Sequence, residues 1–299
     1  MKRRFFFVIN PKAGTRSKDG LEQFIQQRAA DDGVEHHIYL TSSTTNPYTL
    51  QHLAEEFAAT DLIACGGDGT VNMVAAAVKN THMNLGIIPV GSGNGLSRTA
   101  NIPLKPSAAY EVIKEGKVVK ADSFCVNRQF ACMLAGLGMD AAVAERFSHS
   151  SRRGLVTYTT QTLLEFFKAQ PYQFEVCIDE FCFHTDAFFI SVANSNQFGN
   201  NVTIAPLASI SDGLLDIVIV QKMPKAQLPF ALLRQIRGNN KLKAMADELG
   251  SKHVLYLQAR QVQIRNLQQA PLHIDGDPAN TEAELCFKMH PQSINLLVP

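Results

Sequence analysis

The sequence predicts an α/β protein: a doubly wound parallel sheet in roughly the first third, then a second domain rich in β-strands. Apolar runs alternate with helix-patterned segments as far as about residue 121, and strand-like runs without regular helical crossovers follow. The breaks after the first strands are rich in Gly, Asn, Ser and Thr, which places polar backbone where such sheets bind ligands.

Residues 5–9 are continuously apolar, as expected of a strand buried on both faces. The run breaks at Asn10-Pro11-Lys12-Ala13-Gly14. Leu21, Phe24 and Ile25 then share one helical face. A second strand is expected over residues 37–40, ending at Thr41, and a helix over residues 48–59. Residues 62–65 form a third apolar run, followed at once by Gly66-Gly67-Asp68-Gly69-Thr70. Val71, Val74, Ala75 and Val78 recur with helical spacing, so a helix starts directly after that string. Residues 85–90 predict a fourth strand, ending at Gly91-Ser92-Gly93-Asn94-Gly95. In a parallel sheet the carboxyl ends of all strands lie on one rim, so these four breaks converge there.

Beyond residue 121, strands are expected over residues 124–126, 129–134, 173–178, 183–193, 215–220, 254–259 and 262–264. Helices are expected over residues 139–147, 155–169 and 227–238. This divides the chain into an α/β domain, residues 1–121, and a β-rich domain, residues 122–289, with residues 290–299 packing back on the first. No repeat or low-complexity linker marks the boundary.

Composition excludes several classes. Hydrophobic residues at 45% and charged residues at 18% argue for a packed core and against extended disorder. A formal net charge of +1 gives no bulk attraction to nucleic acid, so no nucleic-acid partner is expected. The Met-Lys-Arg-Arg start precedes an apolar run too short for a signal peptide, and no stretch of about 18 apolar residues predicts a transmembrane helix. The six cysteines form no C-x-x-C pair and read as buried free thiols in a reducing cytoplasm. The histidines form no zinc-binding spacing; His184 and His273 read as structural.

Gly66-Gly67-Asp68-Gly69-Thr70 stands between a strand and a helix. Glycines let the backbone approach phosphate oxygens, and the helix start offers free N–H groups. Asp68 does not attract bare phosphate; it makes sense as a residue that orients a magnesium-bound water or a hydroxyl, or that fixes the loop. The string is not a Walker P-loop, because no G-x-x-x-x-G-K-[ST] occurs, and Gly91–Gly95 is a poor dinucleotide fingerprint. The basic residues Arg146, Arg152 and Arg153 read as a solvated face. The stripe Leu155, Tyr158, Thr162, Leu163, Phe166 and Phe167 reads as core rather than lipid pocket.

Asn10-Pro11-Lys12-Ala13-Gly14, Gly66–Thr70 with Val71-Asn72, and Pro89-Val90-Gly91-Ser92-Gly93-Asn94 resemble the diacylglycerol kinase / sphingosine kinase superfamily. Asn194-Ser195-Asn196-Gln197-Phe198-Gly199, Ser211-Asp212-Gly213-Leu214-Leu215-Asp216 and Ile274-Asp275-Gly276-Asp277 extend the likeness over almost the whole chain. In size and layout the chain is similar to the stand-alone bacterial lipid kinases. The resemblance implies an N-terminal domain similar to NAD kinase, a β-rich C-terminal domain and an active site in the cleft between them. It implies an ATP- and Mg2+-dependent kinase that passes the γ-phosphate to a lipid hydroxyl. Asn10, Thr41, Gly66, Gly67, Asp68, Gly69, Thr70, Asn72 and Ser92 would bind ATP. Asp212, with the carbonyls of Ser209 and Leu214, would hold a structural magnesium, and Asp216 would belong to the network beside it. Asp277 would be the general base, with Asp68 its catalytic counterpart on the nucleotide side and Asp275 in reserve.

The sequence departs from the pattern twice. The family's base is usually Glu, and Asp277 is one methylene shorter. Gly95 stands where bacterial members usually carry Asp. The resemblance further implies a cytoplasmic protein that meets its lipid at a membrane surface transiently, and it leaves a homodimer open. The sequence does not choose among diacylglycerol, monoacylglycerol, phosphatidylglycerol, a sphingoid base and an undecaprenol-like alcohol. The competing readings are a kinase of a soluble acceptor, similar to NAD kinase, and a nucleotide or lipid sensor without catalysis.

Overall fold

A computed structural model describes residues 2–11, 20–139, 141, 170–196, 204–225, 227 and 253–299. The helix expected over residues 155–169 lies outside the described residues, as do most of those expected over 139–147 and 227–238, with Arg146, Arg152, Arg153 and the stripe from Leu155 to Phe167. Lys12, Ala13, Gly14, Gln197, Phe198 and Gly199 are outside them too.

The chain divides into two compact units, one of residues 1–121 with 292–299, the other of residues 122–291. It passes between them within two strands, β5 (Lys117–Val126) and β15 (Glu284–Val298).

The first unit is built on β1 (Arg4–Ile9), β2 (Glu35–Leu40), β3 (Asp61–Gly66) and β4 (Asn84–Pro89), joined by α1 (Leu21–Asp31), α2 (Pro47–Glu56) and α3 (Asp68–Val78). The sheet runs β15–β4–β3–β1–β2 and every described pairing in it is parallel. β1 and β3 lie inside it and are buried almost throughout, which is why they read as unbroken apolar runs. β2 is the edge and exposes alternate residues. The amino-terminal ends are pinned by buried Asp61, which accepts from Arg3 Nε at 3.0 Å, Thr60 Oγ1 at 2.6 Å and Asn84 Nδ2 at 2.9 Å. The carboxyl ends carry the glycine-rich breaks.

Two helices escaped the sequence reading, α4 (Gly95–Thr99) and α5 (Pro106–Glu115). The second had a signal: Pro106 at its first turn and Gly116 just past its end. A Cβ on Gly116 would lie 2.4 Å from the carbonyl oxygens of both Val112 and Val298, so only glycine lets the end of β15 pass so close.

The second unit is antiparallel. It contains β6 (Gln129–Ala131), β7 (Leu134–Gly138), β8 (Tyr172–Ile178), β9 (Phe181–Ala193), β10 (Leu215–Gln221), β11 (Val254–Ala259), β12 (Gln261–Asn266), β13 (Leu272–Ile274) and β14 (Asp277–Ala279). Its strand order is β14–β13–β7–β9–β8–β12–β15, and β10 joins β9 to β11. β7, β9 and β10 carry apolar side chains on both faces and feed two clusters, one around Phe124, Phe174, Ile190 and Phe287, the other around Phe188, Val218 and Tyr256. β8 and β12 alternate, apolar inward and polar outward.

The expectation of six buried free thiols is corrected here. Cys177 and Cys182 face each other across the β8–β9 hairpin and form a disulfide, and Cys182 is exposed. Both lie two residues from the turn at Asp179-Glu180, so the register alone brings them together. Cys65 and Cys132 are buried thiols; Cys125 and Cys286 are half-buried.

Candidate active site

The sheet order of the first unit reverses at β1. From β1 the chain adds β2 on one side, then crosses to add β3 and β4 on the other. The crevice at the carboxyl ends of β1 and β3 is therefore the switch point where doubly wound sheets bind ligands. Asn10 leaves β1 there and Gly66 ends β3 there. Asn10 Nδ2 donates across the crevice to Thr70 Oγ1 at 3.3 Å, and Asn10 N donates to Cys65 O at 3.2 Å. Thr41 N closes the neighbouring corner by donating to Ile9 O at 2.9 Å.

The two glycine strings touch. A Cβ on Gly91 would lie 2.3 Å from Gly67 Cα, a separation no side chain tolerates. Gly66 is constrained from the other side, since its Cβ would fall 2.2 Å from the buried Thr70 Oγ1. Glycine is thus demanded by close backbone approach.

Asp68 opens α3 and its carboxylate points at the second string. Oδ2 accepts from Asn94 N at 2.9 Å and Oδ1 from Gly95 N at 2.7 Å. With these two bonds Asp68 ties the start of α3 to the second string. The charge at the helix start also suits the helix dipole. Asn94 completes the clasp: it adopts φ 56° and ψ 46°, its Oδ1 accepts from Gly91 N at 3.0 Å, and its Nδ2 donates to Gly91 O at 2.9 Å. Asn94 and the Gly95 N–H were missed in the sequence, although an Asn inside a glycine string is a signal for left-handed backbone. Gly69 lies exposed on the first turn of α3, Asn72 is half-buried on the same helix, and Ser92 is half-buried in the second glycine string. Backbone N–H groups at the start of an eleven-residue helix lie beside the Thr70 hydroxyl and the Asn10 amide, and helix starts of this kind suit phosphate oxygens.

In the second unit, Ser209, Asp212 and Leu214 occupy the turn before β10. Leu214 N donates to Asp212 Oδ1 at 3.0 Å, and Ser211 N to Ser209 Oγ at 3.4 Å. Buried Asp122, which the sequence reading passed over, braces the turn: its Oδ2 accepts from Gly213 N at 2.7 Å, and its N–H donates to Ile210 O at 2.7 Å. Desolvation raises the Asp212 carboxyl above the ordinary range, the Leu214 N–H opposes that, and the Asp122 charge adds to it. Two carboxylates that repel in an oxygen-rich turn are a donor set suited to a hard cation. Asp216 is buried; its Oδ1 accepts from Tyr256 OH at 2.7 Å, Gln258 Nε2 lies 3.2 Å from Oδ1, and burial pushes its carboxyl up to about 6.

Ile274-Asp275-Gly276-Asp277 forms the β13–β14 hairpin. Its two central residues, Asp275 and Gly276, have φ of 49° and 89°, as expected of an Asp-Gly turn. The buried Asp275 carboxylate accepts backbone N–H groups from Cys132, Met133 and Leu134, each at 2.9 Å, and the Cys132 thiol at 3.4 Å. It joins the hairpin to the start of β7. Asp277 is exposed at the start of β14. Asn194 ties β9 to the same junction, its Nδ2 donating to Asp122 O at 3.0 Å and Cys132 O at 2.9 Å. His273 is buried beside the turn, and its Nδ1 lies 3.4 Å from Gly276 N.

Residues 4–126 match the diacylglycerol kinase catalytic domain family, and residues 134–298 match the YegS C-terminal NAD kinase beta sandwich-like domain family. The chain is 29% identical over 240 residues to a protein of Chromohalobacter salexigens named "Probable lipid kinase YegS-like", covering 77% of this chain and 73% of that one. It is 26% identical over 286 residues to a diacylglycerol kinase of Bacillus subtilis, covering 92% and 90%. The crystal structure of a diacylglycerol kinase from Bacillus anthracis str. Sterne shares the fold, with a TM-score of 0.71 at 20% identity, over all of this chain and 97% of that one.

Proposed function

We propose, because this chain belongs to the diacylglycerol kinase family in the form that ends in a YegS-type domain and is a kinase, that it passes the γ-phosphate of ATP to a lipid hydroxyl. The observation that carries the donor side is the Asp68 clasp, which holds two glycine strings in contact at the switch point of a parallel sheet. The names of the relatives support the lipid acceptor.

In this reading the N–H groups of Gly67, Asp68, Gly69 and Thr70 receive the triphosphate, with Asn10, Thr41, Asn72 and Ser92 around it. Asp68 is a positioning residue: it fixes the second string and keeps its own charge turned away from phosphate. Asp277 accepts the proton of the attacking hydroxyl; its side chain is exposed, whereas that of Asp275 is buried against backbone N–H groups. Asp212, with the carbonyls of Ser209 and Leu214, would hold magnesium. Bound there, the ion would neutralise the Asp122–Asp212 repulsion and stiffen the turn. Preorganised donors and positioning supply most of the acceleration in such transfers. The protein works in the cytoplasm and docks at the bilayer surface during turnover; among the described residues no helix is long and apolar enough to cross a membrane.

The test is transfer itself. Purified protein is incubated with labelled ATP, magnesium and a total lipid extract, and the labelled product is identified. Label is expected in one lipid class. Label in NAD, or in no lipid at all, would overturn the proposal.

A further inference from the structure

The outward face of the second unit carries a cluster that the reaction above does not use. Cys177 and Cys182 pair in register across the β8–β9 hairpin, with Cα atoms 4.1 Å apart. One pair along, on the same face, Glu175 stands opposite His184. The ligand atoms of Glu175, Cys177 and Cys182 all lie within 4.8 Å of one another. Cys182 and His184 are exposed and Glu175 and Cys177 half-buried, so solvent and solutes reach the group. Arg265 on β12 donates Nη1 to Glu175 Oε2 at 3.1 Å and so steadies the carboxylate beside the sulfurs.

This donor set has a definite chemistry. Two sulfurs and one carboxylate oxygen suit zinc and its thiophilic relatives; magnesium and calcium, which want oxygen alone, are poor matches. The sulfurs are bonded to each other, and in that form neither is a thiolate ligand. We propose that the hairpin is a redox-gated site for a thiophilic divalent cation, closed while the Cys177–Cys182 disulfide is intact and opened by a dithiol reductant. In the opening step the dithiol gives two electrons and its two protons; the S–S bond breaks to two thiols, and the dithiol closes to its own disulfide. Metal entry then releases the two thiol protons to water and leaves Cys177 and Cys182 as thiolates, with Glu175 as third ligand and water or the His184 imidazole as fourth. The hairpin register holds the two cysteines face to face after the bond is cut, so the site needs no rearrangement of backbone.

The same sheet provides an internal control. Gln263 pairs with Cys177 on one side and Cys286 on the other, and Cys125 is close enough to Cys286 to raise its thiol beyond what burial does. These two thiols share the face but stand apart from Glu175 and the hairpin.

The full-length chain is titrated with Co2+ before and after reduction with a phosphine, which is removed under exclusion of oxygen. The cobalt–thiolate absorption band in the near ultraviolet is expected only after reduction and saturates at one equivalent. Zinc displaces it and magnesium does not. Cys177→Ser with Cys182→Ser abolishes the band, Cys125→Ser with Cys286→Ser keeps it, and Glu175→Gln, which leaves both sulfurs in place, weakens binding about tenfold or more. The proposal is overturned if the reduced protein shows no band, if the disulfide form binds equally well, or if the band follows Cys125 and Cys286. None of these readouts depends on kinase activity.

Discussion

The glycine rim of the first unit and the acidic turns of the second are built on opposite principles. The rim is made by backbone: Gly91 lies against Gly67, and the Asp68 carboxylate accepts from the N–H groups of Asn94 and Gly95. The acidic turns are made by side chains that differ in burial. Asp275, Asp122 and Asp216 are buried, whereas Asp212 and Asp277 are exposed. Asp275 and Asp277, two residues apart, thus differ in environment, and the turn geometry sets the difference. A phosphate cradle has to be free of negative charge; a turn that serves a proton or a cation has to present it.

Substitutions can break this contrast. The largest effect is expected at Asp277. Asp277→Ala should lower turnover by about 10²- to 10⁴-fold, the usual worth of a general base, while the thermal midpoint barely moves, because the side chain is exposed. Retention of wild-type turnover would remove Asp277 from the mechanism. Asp275→Ala should do the reverse and act on stability, by about 3–5 kcal/mol, because three backbone N–H groups lose a charged acceptor at once. Denaturant unfolding measures it, and a loss below about 1 kcal/mol would show that the β13–β14 hairpin does not depend on that cradle.

On the rim, Gly91→Ala should destabilise the first unit by about 1–3 kcal/mol and raise the KM for ATP, since its Cβ would enter the space of Gly67. A neutral outcome in both measurements would mean that the two strings separate easily. Asp68→Asn should have the smallest effect, about 1–2 kcal/mol, because one amide oxygen can still accept while the amide nitrogen faces an N–H. Its signature is a raised KM for ATP with kcat less affected; a loss of kcat alone would give Asp68 a direct part in the chemistry.

Much of the first unit was legible in the sequence because burial on both faces leaves an unbroken apolar run, as in β1 and β3, and because close backbone approach leaves glycine. The direction of the Asp68 side chain was not legible. Its partners lie in a separate string, and only the folded sheet sets the two side by side. Asp122 gave no local sign of bracing the Ser209–Leu214 turn for the same reason. The role of Asp275 was within reach: an Asp-Gly pair between short strands signals a turn whose first residue is not free to serve elsewhere. The disulfide was also within reach, since Cys177 and Cys182 are symmetric about Asp179-Glu180, but strand periodicity alone does not mark where a hairpin turns.

One strand of the first sheet is made only after the second unit. Asn84 and Leu85 on β4 pair with Asn295 and Leu296 on β15, so an inner strand of the parallel sheet keeps an open edge while the whole second unit is being synthesised. During translation that edge is a bare row of N–H and C=O groups, the kind of surface that recruits chaperones or mispairs with a neighbouring chain. The first unit is therefore completed only after the second has been made.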